Sequence, residues 1–159
     1  MITAPGARKE AAAQPGASQR TRSSVAPYVA AAILALIGLA DAIYLVVHHY
    51  TGRSVRCTVV QGCDEVLGSS YATLGGVPVA ALGAAAYFTV FSLATLAACD
   101  YRGAARLMRV VVGAMFLFSL WLLYLQAFVI GHFCSYCLLS AALTTALAVI
   151  VANQWARNR

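Results

Sequence analysis

Five cysteines carry the most reactive chemistry in this 159-residue chain: Cys57, Cys63, Cys99, Cys134 and Cys137. Two of them form a C-x2-C pair in "HFCSYCLLSAAL", at the start of an apolar run. Two more stand six apart in "CTVVQGC". A C-x2-C pair can hold zinc, work as a redox dithiol, or form a static disulfide. The odd total leaves at least one cysteine outside any internal disulfide scheme. The side of a membrane that the sulfurs face decides between these chemistries, because disulfides persist in oxidising compartments.

A membrane is implied by composition. The chain is 62% hydrophobic and 10% charged, with a mean hydropathy of +0.79, whereas a soluble domain is about a quarter charged. Four apolar stretches, at about 26–50, 77–99, 110–130 and 134–155, are each near the ~20 residues a helix needs to cross the hydrocarbon core. Helices satisfy their own backbone groups in lipid. The expected fold is therefore an all-α membrane protein, a four-helix transmembrane bundle over residues 25–156. A long outward loop, residues 51–76, joins its first two helices, and "CDEVLGSS" is expected to hold one short helical turn. Residues 1–24, rich in Ala, Gly, Pro, Ser and Arg, are expected to form a disordered cytoplasmic tail, with a transit peptide as the alternative.

Arginine placement orients the bundle. Nine of the eleven basic residues fall in the N-terminal tail, in the turn "DYRGAARLMR" and at the C-terminus. In a four-helix protein those segments share one side. The positive-inside rule makes that side cytoplasmic and turns the 51–76 loop and the short "GHF" turn outward. The net charge of +6 then reads as topology rather than as a nucleic-acid surface. Cys57, Cys63, Cys134 and Cys137 collect on the oxidising side, while Cys99 is left alone on the reducing side as an inert apolar residue.

Cys134 and Cys137 are expected in the first turn of the last helix. The free N–H groups and positive dipole end there stabilise a thiolate, the species that attacks a disulfide or an electrophilic ring. The preferred reading is a redox pair at the lipid edge. A zinc site completed by the loop cysteines or His132, and a pair of static disulfides, are the competing readings, and no metal is assigned.

The four-helix core, the cysteine pair in the first outward loop, "CDEVLGSSYATLGGVPVAALG" after it and the C-x2-C opening the last helix resemble the vitamin K epoxide reductase family, most closely its bacterial, disulfide-forming members. The resemblance spans about residues 27–155. It implies a helical bundle around a quinone, menaquinone or ubiquinone, in a bacterial inner membrane. It also implies a relay. Cys137 faces the quinone and Cys134 pairs with Cys137. Cys63 shuttles to Cys134, and Cys57 pairs with Cys63 and exchanges with an external thioredoxin-fold dithiol protein, DsbA-like. Ser69 matches a serine kept near the ring, with Ser70 as its neighbour. Many members carry a thioredoxin domain after the helices. This chain ends at Arg159, so a separate partner is expected. The last helix lacks the Thr-Tyr-Ala run of the animal enzymes, which favours quinone reduction coupled to disulfide formation over epoxide reduction. A structural membrane protein with static disulfides is the alternative function, and a small transporter a third.

Asp41 is the one acid inside a spanning segment. A charge there costs several kcal/mol, so it faces the bundle interior, is paired, or is protonated. A proton relay and a structural hydrogen bond to Gln126 are both open. Tyr136 and His132 are read as interfacial side chains, although either could donate a hydrogen bond to a quinone. Trp121, Tyr124, Phe128 and Phe133 are read as membrane anchors that could also flank a ring. Gly38, Gly83 and Gly113 are expected to permit close helix approach.

Overall fold

A computed structural model of the chain describes residues 15–52, 62–101 and 103–157, with side chains from residue 25 onward. The elements are α1 (Pro15–Thr51), α2 (Cys63–Leu67), a hairpin of β1 (Thr73–Leu74) and β2 (Val77–Pro78), α3 (Val79–Ala98), α4 (Ala104–Tyr124) with a π-helical continuation over Leu125–Ile130, and α5 (Ser135–Arg157). Four spans are long and apolar enough to cross a membrane: Val25–Thr51, Val79–Ala98, Ala104–Ile130 and Ser135–Arg157. Large apolar side chains such as Val29, Ile37, Phe88, Leu117 and Val149 point away from the protein on all four. Exposed to water they would be costly; against lipid they are at home.

Helix contacts run α1–α3, α3–α4, α4–α5 and α5–α1, so the four long helices close into a ring. The start of α1 and the end of α5 lie at one end of the ring, and α2, the β1–β2 hairpin and the 131–134 turn lie at the other. The interior divides along this axis. Toward the terminal end it is solid, with Ala31, Ala35, Val90, Met108, Val112 and Leu147 interlocked and shut off from solvent. Small alanines on α1 let α3 approach closely. Toward the loop end the packing thins, and a second, smaller cluster forms around Leu45, Cys63, Val66 and Cys134.

Tyr87 of α3 marks the boundary. Its ring lies over Gly38 of α1, so closely that a Cβ there would collide with it. Its hydroxyl reaches across the bundle to α5, bonding the Ser140 carbonyl at 3.0 Å, the Ser140 Oγ at 2.9 Å and the Thr144 Oγ1 at 3.0 Å. Among the three glycines expected to permit close approach, Gly38 does so. At Gly83 a Cβ would meet Ala42 at an ordinary 3.9 Å, and at Gly113 it would meet nothing.

Element ends depart from expectation in informative ways. α1 extends back to Pro15, into the stretch expected to be an irregular tail, because propagating an existing helix through Ala, Ser, Gln and Arg is far easier than starting one. α4 begins at Ala104, not near 110, since Arg106 and Arg109 can sit exposed in its first turns while their stems lie along the helix. The loop end holds a two-residue hairpin at Gly75 and Gly76, both with positive φ, as such turns require. α3 ends with Asp100 at φ 59, its N–H bonded to Ala97 and that of Tyr101 to Leu96, so an Asp takes the left-handed position that glycine commonly fills.

Candidate functional site

The site is built around Cys134, which is the N-cap of α5 and not, as expected, part of its first turn. Its carbonyl accepts the first intrahelical bond, from Leu138 N–H at 3.0 Å. An N-cap side chain normally supplies an oxygen to the open N–H groups of the first turn; here a sulfur takes that place. The Cys134 thiol is drawn down to about 7, chiefly by the hydrogen bond from the Cys137 side chain and further by the backbone N–H groups of Cys137 and Tyr136. Burial and the negative charge of Asp41 act in the opposite direction. Cys137, three residues on, occupies the first turn of α5 itself. Both are free thiols.

The backbone N–H of Cys134 donates to the Gln126 side-chain oxygen at 3.0 Å. Gln126 sits in the π-helical stretch, where the wider turn rotates it inward; it is 2% exposed, while Phe128 two residues later is 78% exposed. The Asp41–Gln126 hydrogen bond that the sequence left open does not form; the Gln126 oxygen accepts from Cys134 instead. Among the described residues, neither carboxylate oxygen of Asp41 has a hydrogen-bond partner, although both are buried.

Cys63, the first residue of α2, is disulfide-bonded, and its partner is not Cys99, Cys134 or Cys137, all free thiols. Cys57, its expected partner, lies outside the described residues. Cys63 is 2% exposed and Cys134 0%, and the two share one apolar cluster. Gly62 makes this possible. A Cβ there would stand 2.9 Å from the Phe133 carbonyl oxygen and 3.0 Å from the His132 Cβ. The entry to α2 thus lies directly on the 131–134 turn. What the fold uses in this glycine is its lack of a side chain.

Beside the cysteines lies a cavity of about 460 Å³. Leu67, Tyr71 and Ala72 border it at the loop end, and Tyr87, Ser140 and Thr144 border it deeper in the bundle. Its remaining walls are mostly aliphatic side chains of α3 and α4, with Cys137, Ser69, Asp41, His49 and Gln126 as chemically active members. That size and that balance of apolar wall to a few polar groups suit a ring-bearing apolar ligand. Among the described residues, no three His, Cys, Asp or Glu side chains come together as metal ligands.

A family model described as the vitamin K epoxide reductase family matches residues 29–152. The chain belongs to that family. As a vitamin K epoxide reductase family member it is a membrane oxidoreductase, of a family linked in general to thiol–disulfide and quinone chemistry. The match takes in all of Val79–Ala98 and Ala104–Ile130, most of Val25–Thr51 and Ser135–Arg157, and the loop that carries Cys63.

The fold brings Cys63, Cys134, Cys137 and Ser69 of this family member into one neighbourhood. Ser69 lines the cavity and its hydroxyl donates to the Val66 carbonyl at 2.7 Å; Ser70 is exposed. Cys99 is exposed at the opposite end of α3. Trp121, Tyr124, Phe128 and Phe133 are exposed and none lines the cavity. Tyr136 stacks on Tyr44 of α1 at 5.2 Å between ring centres, and His132 is exposed. Sequence reasoning missed Tyr87 and gave Gln126 no role except as a partner for Asp41. Tyr87 carried a faint signal, as a hydroxyl deep in an otherwise aliphatic span.

Proposed function

We propose that this protein reduces a membrane quinone, menaquinone or ubiquinone, with electrons drawn from an external thioredoxin-fold dithiol protein of DsbA-like kind, and so supports disulfide formation. The observation that carries the reading is the shared burial of Cys63 and Cys134 next to a cavity lined by Cys137. Cys134 is closed to any large protein, so a dithiol substrate must act through the loop. Electrons enter at the Cys57–Cys63 disulfide by thiol–disulfide exchange. The reduced Cys63 then exchanges with an oxidised Cys134–Cys137 pair. The resulting Cys134–Cys137 dithiol is re-oxidised as two electrons and two protons pass to the quinone.

Each feature of the site fits a step. The Cys134 thiol, drawn down to about 7, is substantially thiolate near neutral pH and suited to exchange. Cys137 faces the cavity where an apolar ring fits, and the Ser69 oxygen is placed to accept from a quinol hydroxyl. The exposed wall residues Leu82 and Ala114 suggest entry from lipid between α3 and α4. In this reading both termini face the cytoplasm and the redox cysteines face outward in a bacterial inner membrane, as the arginine distribution favours.

The test is turnover by the purified protein with a short-chain quinone and a reduced thioredoxin-fold dithiol protein. Quinol should form in step with partner disulfide, one for one. Disulfides indifferent to both reagents would instead support a static structural protein.

A further inference from the structure

We propose that Asp41 carries protons between the thiol pair and the quinone. This rests on the functional reading above. The dithiol gives up two electrons and two protons when the Cys134–Cys137 bond forms, and turning quinone into quinol takes two electrons and two protons at its two oxygens. Inside an apolar cavity water cannot be relied on to move those protons, so a side chain must.

The structure leaves few side chains for that work. Among the described groups lining the cavity, the Tyr87 hydroxyl is engaged with Ser140 and Thr144. Thr144 donates to the Ser140 carbonyl at 2.8 Å, and Ser69 donates to Val66. Gln126 has no acidic proton, and its oxygen is held by Cys134; Ser119 lines the cavity, but an alcohol does not give up its proton near neutral pH. Cys137 is itself an electron donor. His49 and Tyr71 line the cavity but are exposed. Asp41 remains: 9% exposed, lining the cavity, both oxygens buried and without a partner among the described residues.

Its position suits the task. Asp41 lies three residues beyond Gly38, where the Tyr87 ring closes the bundle. It lies one helical turn before Leu45, which packs against Cys63 and Cys134. It is also close enough to act electrostatically on Cys134. A carboxylate left charged in such a place is costly; a carboxyl that exchanges a proton with its neighbours avoids holding that charge. As a neutral carboxyl, Asp41 gives its proton to the ring oxygen nearest it and takes back one released as the thiols are oxidised, returning to its starting form; the second proton of the pair is exchanged with solvent at the rim of the cavity, on the Cys134 side and at the far ring oxygen alike. His49, eight residues further along α1, stands between this group and the rim.

The experiment follows one turnover of pre-reduced protein with a soluble quinone, comparing wild type, Asp41→Asn and Asp41→Glu, with quinone affinity measured separately. Positioned proton transfer contributes on the order of 10²–10⁴-fold. Asp41→Asn should therefore reduce quinone at least about 100-fold more slowly with unchanged affinity, and Asp41→Glu should recover much of the rate. An Asp41→Asn protein as fast as wild type, or one whose loss lies in affinity alone, overturns the proposal. Infrared difference spectra give a check that does not depend on the Asn variant folding. A carboxyl band that shifts between wild type and Asp41→Glu should change during turnover, and its invariance overturns the proposal as well. Wild type that reduces no quinone would refute the functional reading itself, and with it this role for Asp41.

Discussion

The side-chain oxygen of Gln126 accepts the backbone N–H of Cys134 at 3.0 Å, so the widened turn that ends α4 holds the residue that begins α5. The C-x2-C pair is thereby fixed on one side by the helix that Cys134 caps and on the other by a neighbouring helix. Replacing Gln126 with Leu leaves a buried N–H unpaired, a loss of about 1–3 kcal/mol. Thermal unfolding in detergent should show the drop, and Gln126→Glu, which keeps an acceptor, should show less of it.

Cys134 gives the protein a pH dependence of definite sign. Its thiol is drawn down to about 7 by Cys137 and the first-turn N–H groups. The thiolate is therefore lost as pH falls through that value and complete above it, and exchange should slow on the acid side. Thiolate absorbance of the reduced protein, followed in a Cys57→Ser, Cys63→Ser background, should titrate near 7. In Cys137→Ala, where the largest contribution is gone, the midpoint should move upward.

Gly62 sets how closely the loop approaches Cys134. Gly62→Ala places a methyl against the Phe133 carbonyl and the His132 Cβ, and neither can yield without moving the 131–134 turn. A displacement near 1 Å can slow a reaction by about 100-fold. Rapid-mixing measurement of electron transfer from loop to C-x2-C pair should fall by about tenfold or more, with quinone affinity unchanged.

Tyr87 holds the solid half of the bundle to the hollow half. Tyr87→Phe removes three hydroxyl contacts and leaves Ser140 and Thr144 to pair only with each other. A cost of about 1–3 kcal/mol follows. Gly38→Ala, which drives a methyl into the same ring, should cost about as much through overpacking. Both are read from detergent unfolding curves.

Much of this architecture was legible in the residues. Runs of twenty apolar side chains can only be helices in lipid, so the four spans were readable, and "CDEVLGSS" gave its helical turn at Cys63–Leu67. The boundaries were less so. Cys134 looks like the first residue of a helix, because nothing in its identity distinguishes a sulfur that caps from one that lies inside. The Gly75–Gly76 hairpin had a usable signal, two glycines between apolar residues, lost within a stretch read as polar loop. Gln126 could not be placed because its inward turn depends on a π-helical register that composition does not encode. Asp41 was recognisable as costly, yet its lack of a partner appears only once α3, α4 and α5 are packed around it.

The most direct test of the relay is the Cys137→Ala variant, purified without reductant and mapped by mass spectrometry under non-reducing conditions. With its resolving partner gone, the Cys134 thiolate that attacks the loop disulfide at Cys63 releases Cys57 and stays bonded. A Cys63–Cys134 disulfide, a free Cys57 and no quinone reduction are the expected results. A free Cys134 beside an intact loop disulfide, or quinone reduction at the wild-type rate, would contradict the relay.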